Sequence, residues 1–202
     1  MALTPSTMLP LGTKAPSFSL PDTDNGQTVS LADFEGKDAL VVMFICNHCP
    51  YVKHVAPELA RLGKDYADKS VGFVAISSND VANYPSDSPA KMKAEKAQWG
   101  YTFPYLYDET QEVAKAYKAA CTPDFYVFDA NQELAYCGRL DETRPYRISS
   151  GNYDGRDGGP HGKDLRAAID ALLGGGRPSA DQSPSVGCNI KWKPGNAPNY
   201  FG

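Results

Sequence analysis

The order of apolar patterns along this chain predicts an α/β fold, a three-layer sandwich with helices on both faces of a mixed sheet. Three observations carry that expectation. Ala39-Leu-Val-Val-Met-Phe-Ile is an unbroken apolar run, the pattern of a strand covered on both faces, as parallel sheets require. Strand-like and helix-like segments then alternate, so that a β-α-β half is joined through a helix to a β-β-α half. The last helix carries an apolar stripe that must be buried against another layer.

The first element is a hairpin over residues 15–31. Ala15-Pro-Ser-Phe-Ser-Leu and Gln27-Thr-Val-Ser-Leu flank a turn in which Asn25-Gly26 supplies the positive φ of a tight reversal. Beyond the central strand, Val52, Val55, Ala56, Leu59, Leu62 and Tyr66 recur every three to four residues. That spacing places one apolar stripe on a helix from Cys49 to Ala67. Pro57 lies inside it, removes one backbone hydrogen bond and is expected to kink it. Val71-Gly-Phe-Val-Ala-Ile-Ser is the second buried strand, and Ser88-Pro89 reads as the cap and first residue of a helix ending at Trp99. Phe103-Pro-Tyr-Leu-Tyr is a short strand, after which Asp108 and Gln111 have the spacing of a capping box for a helix from Glu109 to Lys118. Asp124–Asp129 and Glu133–Arg139 are close enough to pair as an antiparallel hairpin. A Gly-rich loop, Ser149–Gly162, leads to a helix bearing Leu165, Ala168, Ile169, Leu172 and Leu173, with Gly174 as its stop.

This organisation implies one domain over residues 1–173 and a polar, proline-rich tail, 174–202, that packs on it. Gly187-Cys-Asn-Ile-Lys-Trp192 is the tail's apolar anchor. Lys and Arg number 20 and Asp and Glu 24, a net charge of 20 − 24 = −4, which argues against nucleic acid or an anionic membrane as partner. The longest apolar run, Ala39–Cys46, is eight residues, against the roughly 20 that span a bilayer. No basic, apolar-cored leader is readable at the N-terminus, so the expected compartment is the cytoplasm. Five cysteines, an odd number, argue against a structural disulfide framework in that compartment. Cys137, in Leu134-Ala-Tyr-Cys, reads as a small buried apolar residue.

The chemistry concentrates at Cys46-Asn47-His48-Cys49, where the first central strand ends and its helix begins. A helix start carries partial positive charge and free N–H groups, so a cysteine there is expected to favour its thiolate. Two intervening residues let the second thiol reach the first on the next turn, closing and reopening a disulfide. The competing readings are two inert buried thiols, or a metal half-site built from Cys46, His48, Cys49 and His54. The metal reading is short of ligands, since the remaining histidine, His161, lies in the distant Gly-rich loop and there is no second CxxC. No metal and no other cofactor is expected.

Strand, CxxC, helix, then Thr122-Pro123 before a β-hairpin resembles the thioredoxin superfamily. The opening Ala15-Pro-Ser-Phe-Ser-Leu-Pro-Asp-Thr and Val29-Ser-Leu-Ala-Asp-Phe-Glu-Gly-Lys resemble its redoxin branch, the alkyl hydroperoxide reductase and thiol-specific antioxidant group. Cys46-Asn-His-Cys-Pro-Tyr-Val-Lys-His, Asn79-Asp80, Phe103-Pro-Tyr-Leu-Tyr-Asp-Glu, Cys121-Thr-Pro-Asp-Phe-Tyr-Val-Phe-Asp and Gly187-Cys-Asn-Ile-Lys-Trp-Lys resemble one subfamily of stand-alone thioredoxin-like proteins. The resemblance implies a thioredoxin-like sandwich with an N-terminal hairpin and an inserted αβ unit. It also implies that Pro123 is a cis-proline facing the CxxC, with the Thr122 backbone an exposed edge for an extended substrate. Ile45 stands where thioredoxins commonly carry Trp, and Asn47-His48 replaces Gly-Pro. A histidine before the second cysteine resembles oxidising members, where an imidazole stabilises the reduced thiolate.

A thiol–disulfide oxidoreductase is the favoured function, with Cys46 attacking as the more exposed and better stabilised thiolate and Cys49 resolving. Its partners would be a protein or small thiol/disulfide substrate and an upstream reductant such as thioredoxin or glutathione. The alternative is a thiol peroxidase, because Cys46-x-x-Cys49-Pro50 overlays the Thr-x-x-Cys-Pro pattern of peroxiredoxins with Cys49 peroxidatic. Pro123 falls where those enzymes place an Arg, so that constellation is incomplete. A copper-handling protein using Cys46, Cys49 and a histidine ranks third. Cys121 and Cys188 are candidate auxiliary thiols, or else buried and inert.

Overall fold

The computed structural model describes residues 3–149, 152–154 and 159–200. In chain order the elements are β1 (Leu3–Pro5), β2 (Ser19–Pro21), β3 (Thr28–Ser30), β4 (Ala39–Phe44), α1 (Pro50–Asp65), β5 (Val71–Ser77), α2 (Pro89–Trp99) and β6 (Tyr105–Tyr107). There follow α3 (Glu112–Ala116), β7 (Cys121–Thr122), β8 (Asp124–Asp129), β9 (Leu134–Gly138), β10 (Tyr146–Ser149), β11 (Asn152–Asp154), α4 (Lys163–Leu173) and β12 (Val186–Asn189). The central sheet has the order β6-β5-β4-β8-β9. Its β6, β5 and β4 run parallel, while β8 and β9 are antiparallel additions.

Strand β4 explains why its sequence is apolar at every position. Ala39, Val41 and Met43 join the core under α1 and α4, with Leu59, Leu62, Leu165 and Ile169. Leu40, Val42 and Phe44 face the opposite core with Val113, Tyr117, Tyr126 and Phe128. The second face is completed by α3 and by Phe18, Leu20 and Val29 of the N-terminal hairpin, whose strands pair Ser19 with Ser30. Period-2 alternation with both sides buried leaves no position for a polar residue.

β4, β5, α2, the β8–β9 pair and α4 fall where the sequence places them, within a residue or two at their ends, and the hairpin forms with a first strand that starts four residues later, at Ser19. Ser88 occupies the N-cap position of α2 ahead of Pro89, without a side-chain cap bond, and Gly100 closes the helix in the left-handed conformation at φ 74°. Pro57 sits within α1, which continues through it to Asp65.

The capping box at Asp108 and Gln111 does not form, and the helix it was to open is shorter. α3 starts at Glu112, and its N-cap Gln111 has a φ of 66° and makes no side-chain cap bond. Asp108 reaches the first turn of α3 from outside it, and both side chains also bond other elements. The Asp108 carboxylate accepts hydrogen bonds from Ser78 Oγ and from the Ala114 N–H. The Gln111 amide donates to the carbonyls of Ser78 and Lys191. The Gly-rich loop is also not wholly irregular, since Asn152–Asp154 pairs with Tyr146–Ser149. Residues 150–151 and 155–158 of that loop lie outside the described residues.

The tail returns to the domain as a strand. Residues of β12 pair with β1 on one side and β7 on the other, both antiparallel, giving a second sheet of order β1-β12-β7. Ser185, Cys188, Ile190 and Lys191 are buried there. Among the described residues no helix is long and apolar enough to cross a membrane.

Candidate active site

Strand register builds the site. In the β4–β8 pair, Phe44 lies opposite Asp124, so two residues further along one chain and two back along the other, Cys46 comes opposite Thr122. Cys46 Sγ is 3.4 Å from Thr122 Oγ1. Cys49 Sγ is 3.2 Å from the Thr122 carbonyl oxygen. The Thr122–Pro123 peptide bond is cis. The structure thus brings Cys46, Asn47, His48, Cys49, Thr122 and Pro123 together around one point.

The helix start favours a different sulfur from the one expected. α1 begins at Pro50 with Cys49 as its N-cap, so Cys46 is in the loop before the helix, not on its first turn. Cys46 is not the more exposed thiol either, since Cys46 and Cys49 are 2% and 0% exposed. Burial pushes the Cys49 thiol up, but hydrogen bonds from the thiols of Cys188 and Cys46 and from the Val52 and Cys188 N–H groups outweigh it, and the net direction is strongly downward. Cys46 is pushed well up, chiefly by burial, then by its bond to Cys49 and by the charges of Cys49 and Asp87. The Thr122 carbonyl beside Cys49 opposes a full charge there, but the four donors prevail. In the dithiol the negative charge therefore rests on Cys49, with Cys46 as its hydrogen-bond donor.

The residue that sequence reasoning missed is Asp87, fully buried and about forty positions downstream of the motif. Its carboxylate accepts hydrogen bonds from the Asn47 N–H at 2.8 Å, the His48 N–H at 3.2 Å and Asn79 Nδ2 at 2.8 Å. It also takes His48 Nδ1 at 2.5 Å. Burial raises the Asp87 carboxyl, but His48 and Asn79 lead the bonds that bring it below the usual range. The only hint in the sequence was the Pro85-Ser-Asp turn that folds over the motif loop. His48 thus faces a carboxylate, not a thiolate, and its ring stacks on Tyr84 at 5.5 Å. Tyr105 Oη donates to Asn47 Oδ1 at 3.1 Å, fixing the second loop residue.

This arrangement makes Asp87 the tuning charge. The reduced pair carries one negative charge, shared through the Cys46–Cys49 hydrogen bond, and the Asp87 carboxylate opposes negative charge on the Cys46 side, so replacing it with Asn is expected to stabilise the reduced form. The Cys46–Cys49 potential should then rise by about 30 mV, the equivalent of about 1.4 kcal/mol in a two-electron couple. Titration of Asp87→Asn against glutathione checks this, and an unchanged or lower potential sinks it.

Three ligand-type groups, Cys46, His48 and Asp87, bring their ligand atoms within 4.8 Å of one another among the described residues. Their bonding is already committed. Asp87 accepts the four hydrogen bonds above, and His54, the other candidate, has Nε2 at 2.9 Å from Thr143 Oγ1. A metal could enter only by breaking the loop's own supports.

The expected exposed edge at Thr122 is covered. Thr122 is 3% exposed, and β12 pairs with it in the register Cys188 to Thr122. Gly187 makes the approach feasible, since a Cβ there would lie 2.0 Å from the Thr122 carbonyl oxygen. Cys188 hydrogen-bonds Cys49 and is pushed up by that bond first and by burial second. Cys121 points elsewhere, its Sγ 3.7 Å from the Pro123 carbonyl, and burial raises it well above an ordinary thiol. Cys137 is likewise pushed up by burial, to about 12.

Residues 11–137 match the AhpC/TSA family. The chain belongs to the AhpC/TSA family. One solved structure similar to this AhpC/TSA member is an uncharacterized conserved protein from Geobacillus kaustophilus, 52% identical with a TM-score of 0.88, covering 96% of this chain and 98% of its own. A Mycobacterium tuberculosis protein named "Putative peroxiredoxin Rv2521" is 35% identical over 117 residues, 58% of this chain and 69% of that protein. The thiol-disulfide oxidoreductase ResA of Geobacillus kaustophilus is 26% identical over 133 residues, 65% of this chain and 70% of that protein. The thioredoxin domain of a Bacteroides vulgatus thiol-disulfide oxidoreductase, 21% identical with a TM-score of 0.56, shares the fold. This AhpC/TSA chain is a thioredoxin-fold redoxin whose relatives include proteins named thiol-disulfide oxidoreductase and peroxiredoxin.

Proposed function

We infer that the chain is a thiol–disulfide oxidoreductase whose Cys46–Cys49 pair cycles between dithiol and disulfide. The observation that carries this reading is the convergence of two thiols at a helix start on one residue, Cys46 Sγ on Thr122 Oγ1 and Cys49 Sγ on the Thr122 carbonyl, beside the cis bond to Pro123. In a reducing turn, Cys49 takes the Cys46 proton and Cys46 attacks one sulfur of a substrate disulfide. The other substrate sulfur leaves with the electron pair and takes the proton from Cys49, which is then again a thiolate. Cys49 then attacks Cys46 Sγ, the Cys46–Cys49 bond forms, and the second substrate thiol is released. An external dithiol or glutathione, acting as reductant, reopens the disulfide.

A second reading, a peroxidase with Cys49 peroxidatic, is favoured by one observation. Cys49 is the N-cap of α1, its thiol is held below the usual range by the donors around it, and Pro50 follows it as in the peroxiredoxin pattern. The two readings separate in one experiment on the purified wild-type chain. Insulin reduction with dithiothreitol and peroxide consumption with thioredoxin or glutathione are measured side by side. The oxidoreductase reading expects robust insulin reduction and slow peroxide turnover. Fast peroxide turnover without insulin reduction would overturn it.

A further inference from the structure

We propose that Cys188 is a third redox thiol, delivered by the tail as a built-in substrate strand that exchanges disulfides with Cys49. The proposal rests on the oxidoreductase reading of the Cys46–Cys49 pair and extends it to the tail.

Three independent features of the geometry lead to it. First, the tail strand pairs with the two-residue strand before Pro123, setting Cys188 opposite Thr122 and Asn189 opposite Cys121, with Ile190 N–H donating to the Ala120 carbonyl at 3.0 Å. That is strand addition to an edge, the mode by which sheets capture extended peptides. Second, all three thiols converge on one residue. Cys46 Sγ is 3.4 Å from Thr122 Oγ1, Cys49 Sγ is 3.2 Å from its carbonyl, and Cys188 is its cross-strand neighbour. Third, the seat is specific to glycine at the preceding position, because a Cβ on Gly187 would meet the Thr122 carbonyl oxygen at 2.0 Å and its carbon at 2.7 Å. The strand is tied down beyond the cysteine as well, where the Lys191 N–H donates to Asn79 Oδ1 and the Asp80 N–H to the Lys191 carbonyl, both at 2.8 Å.

Within the trio Cys49 is the central sulfur, hydrogen-bonded to Cys46 on one side and to Cys188 on the other. That order leaves one exchange. The Cys188 thiolate attacks Cys49 Sγ of the Cys46–Cys49 disulfide, and the Cys49–Cys188 bond forms as the Cys46–Cys49 bond breaks. The electron pair leaves on Cys46 Sγ, which takes up the proton Cys188 has released. One disulfide is exchanged for another, so no oxidant or reductant is consumed. The step frees Cys46 and fixes the tail strand covalently over the site. Cys121 is the less suited thiol, since its Sγ is hydrogen-bonded to the Pro123 carbonyl, whereas Cys188 is hydrogen-bonded to Cys49.

The test equilibrates wild type, Cys46→Ser, Cys46→Ser/Cys188→Ser and Cys46→Ser/Gly187→Ala in glutathione disulfide and maps the linkages by mass spectrometry after acid quench. An internal thiol competes at an effective concentration of about millimolar or more, so Cys46→Ser should close Cys49–Cys188 in roughly half or more of its chains instead of retaining glutathione on Cys49. Removing Cys188 should convert Cys49 wholly to the glutathione adduct. The Gly187→Ala change, which pushes the strand off its seat, should lower the internal link about tenfold, circular dichroism confirming that each variant is folded. During wild-type oxidation the same link should appear as a minority species, which keeps the idea testable should Cys46→Ser not fold. Wild type that closes Cys46–Cys49 with no Cys49–Cys188 link in any variant, or with Cys49 joined to Cys121, overturns the third-thiol proposal and leaves the oxidoreductase reading standing. Wild type that closes no Cys46–Cys49 disulfide overturns that reading, and the exchange with it.

Discussion

Replacing Cys49 with Ser is expected to reduce disulfide-reducing turnover to background and to leave substrates attached to Cys46. The loss follows from the two jobs assigned to one sulfur. Cys49 takes the proton that makes Cys46 nucleophilic, and it supplies the second thiol that breaks the mixed disulfide. A serine hydroxyl at the cap of α1 retains hydrogen-bonding capacity but cannot do either. Attack by Cys46 on a substrate disulfide still occurs, slowly, because Asp87 opposes its thiolate, and the adduct has no route to resolution. Non-reducing electrophoresis of Cys49→Ser after incubation with a disulfide-bonded protein should show the adduct, absent from Cys46→Ser. Adducts on Cys46→Ser with none on Cys49→Ser would reverse the assignment. A sulfenic acid formed on Cys49 at peroxidase rates in Cys46→Ser would transfer it to the second reading.

The layers of the fold were legible because burial on two faces writes itself into composition. Ala39–Phe44 and Val71–Ser77 read as continuous strands since each lies between two cores. What stayed hidden was structure made by pairing at a distance. Leu3–Pro5 and Val186–Asn189 are short and poorly patterned, and they become strands through each other and through Cys121–Thr122. The failure at Asp108 and Gln111 is of the same kind. Their spacing fits a local cap, but Ser78 and Lys191 offer the same side chains buried partners from other elements, and Asp108 meets α3 only at the Ala114 N–H.

At the site, residue types were readable and their electrostatics were not. The CxxC spacing and the Thr-Pro step identified the residues that meet, as register then explained through Phe44 and Asp124. Which thiol holds the charge depended on donors the local motif does not contain, Cys188 and the Val52 N–H among them, which favour Cys49 at the cap of α1. The partner of His48 depended on Asp87, placed by a turn with no local link to the motif. The covered edge at Thr122 depended on a tail that returns from about sixty residues downstream, its only sequence trace the Gly187-Cys188 anchor.

The largest expected change in stability belongs to Asp124. It stands at the start of β8, fully buried, with Oδ2 accepting from Tyr126 Oη at 2.9 Å and Ser6 Oγ at 3.1 Å. Burial moves its carboxyl from 3.8 up to about 7, with the hydrogen bonds from Tyr126 and Ser6 only partly offsetting it. Between those values the folded chain holds a proton that the unfolded chain has lost. The unfolded state then binds fewer protons, so stability falls as pH rises, by about 1.4 kcal/mol per unit and about 4 kcal/mol in all, and is flat above the folded value. Asp87 and Asp141 have lowered values and contribute the opposite slope, so the term is isolated by comparing variant with wild type at each pH. Asp124→Asn keeps the shape and an acceptor for Tyr126 without a charge to bury. In urea denaturation it should be near wild type at pH 4 and more stable at pH 8 by about 2–4 kcal/mol. An equal effect at both pH values would mean that Asp124 is ionised in the folded protein throughout, and that its two hydroxyl partners suffice to hold the charge.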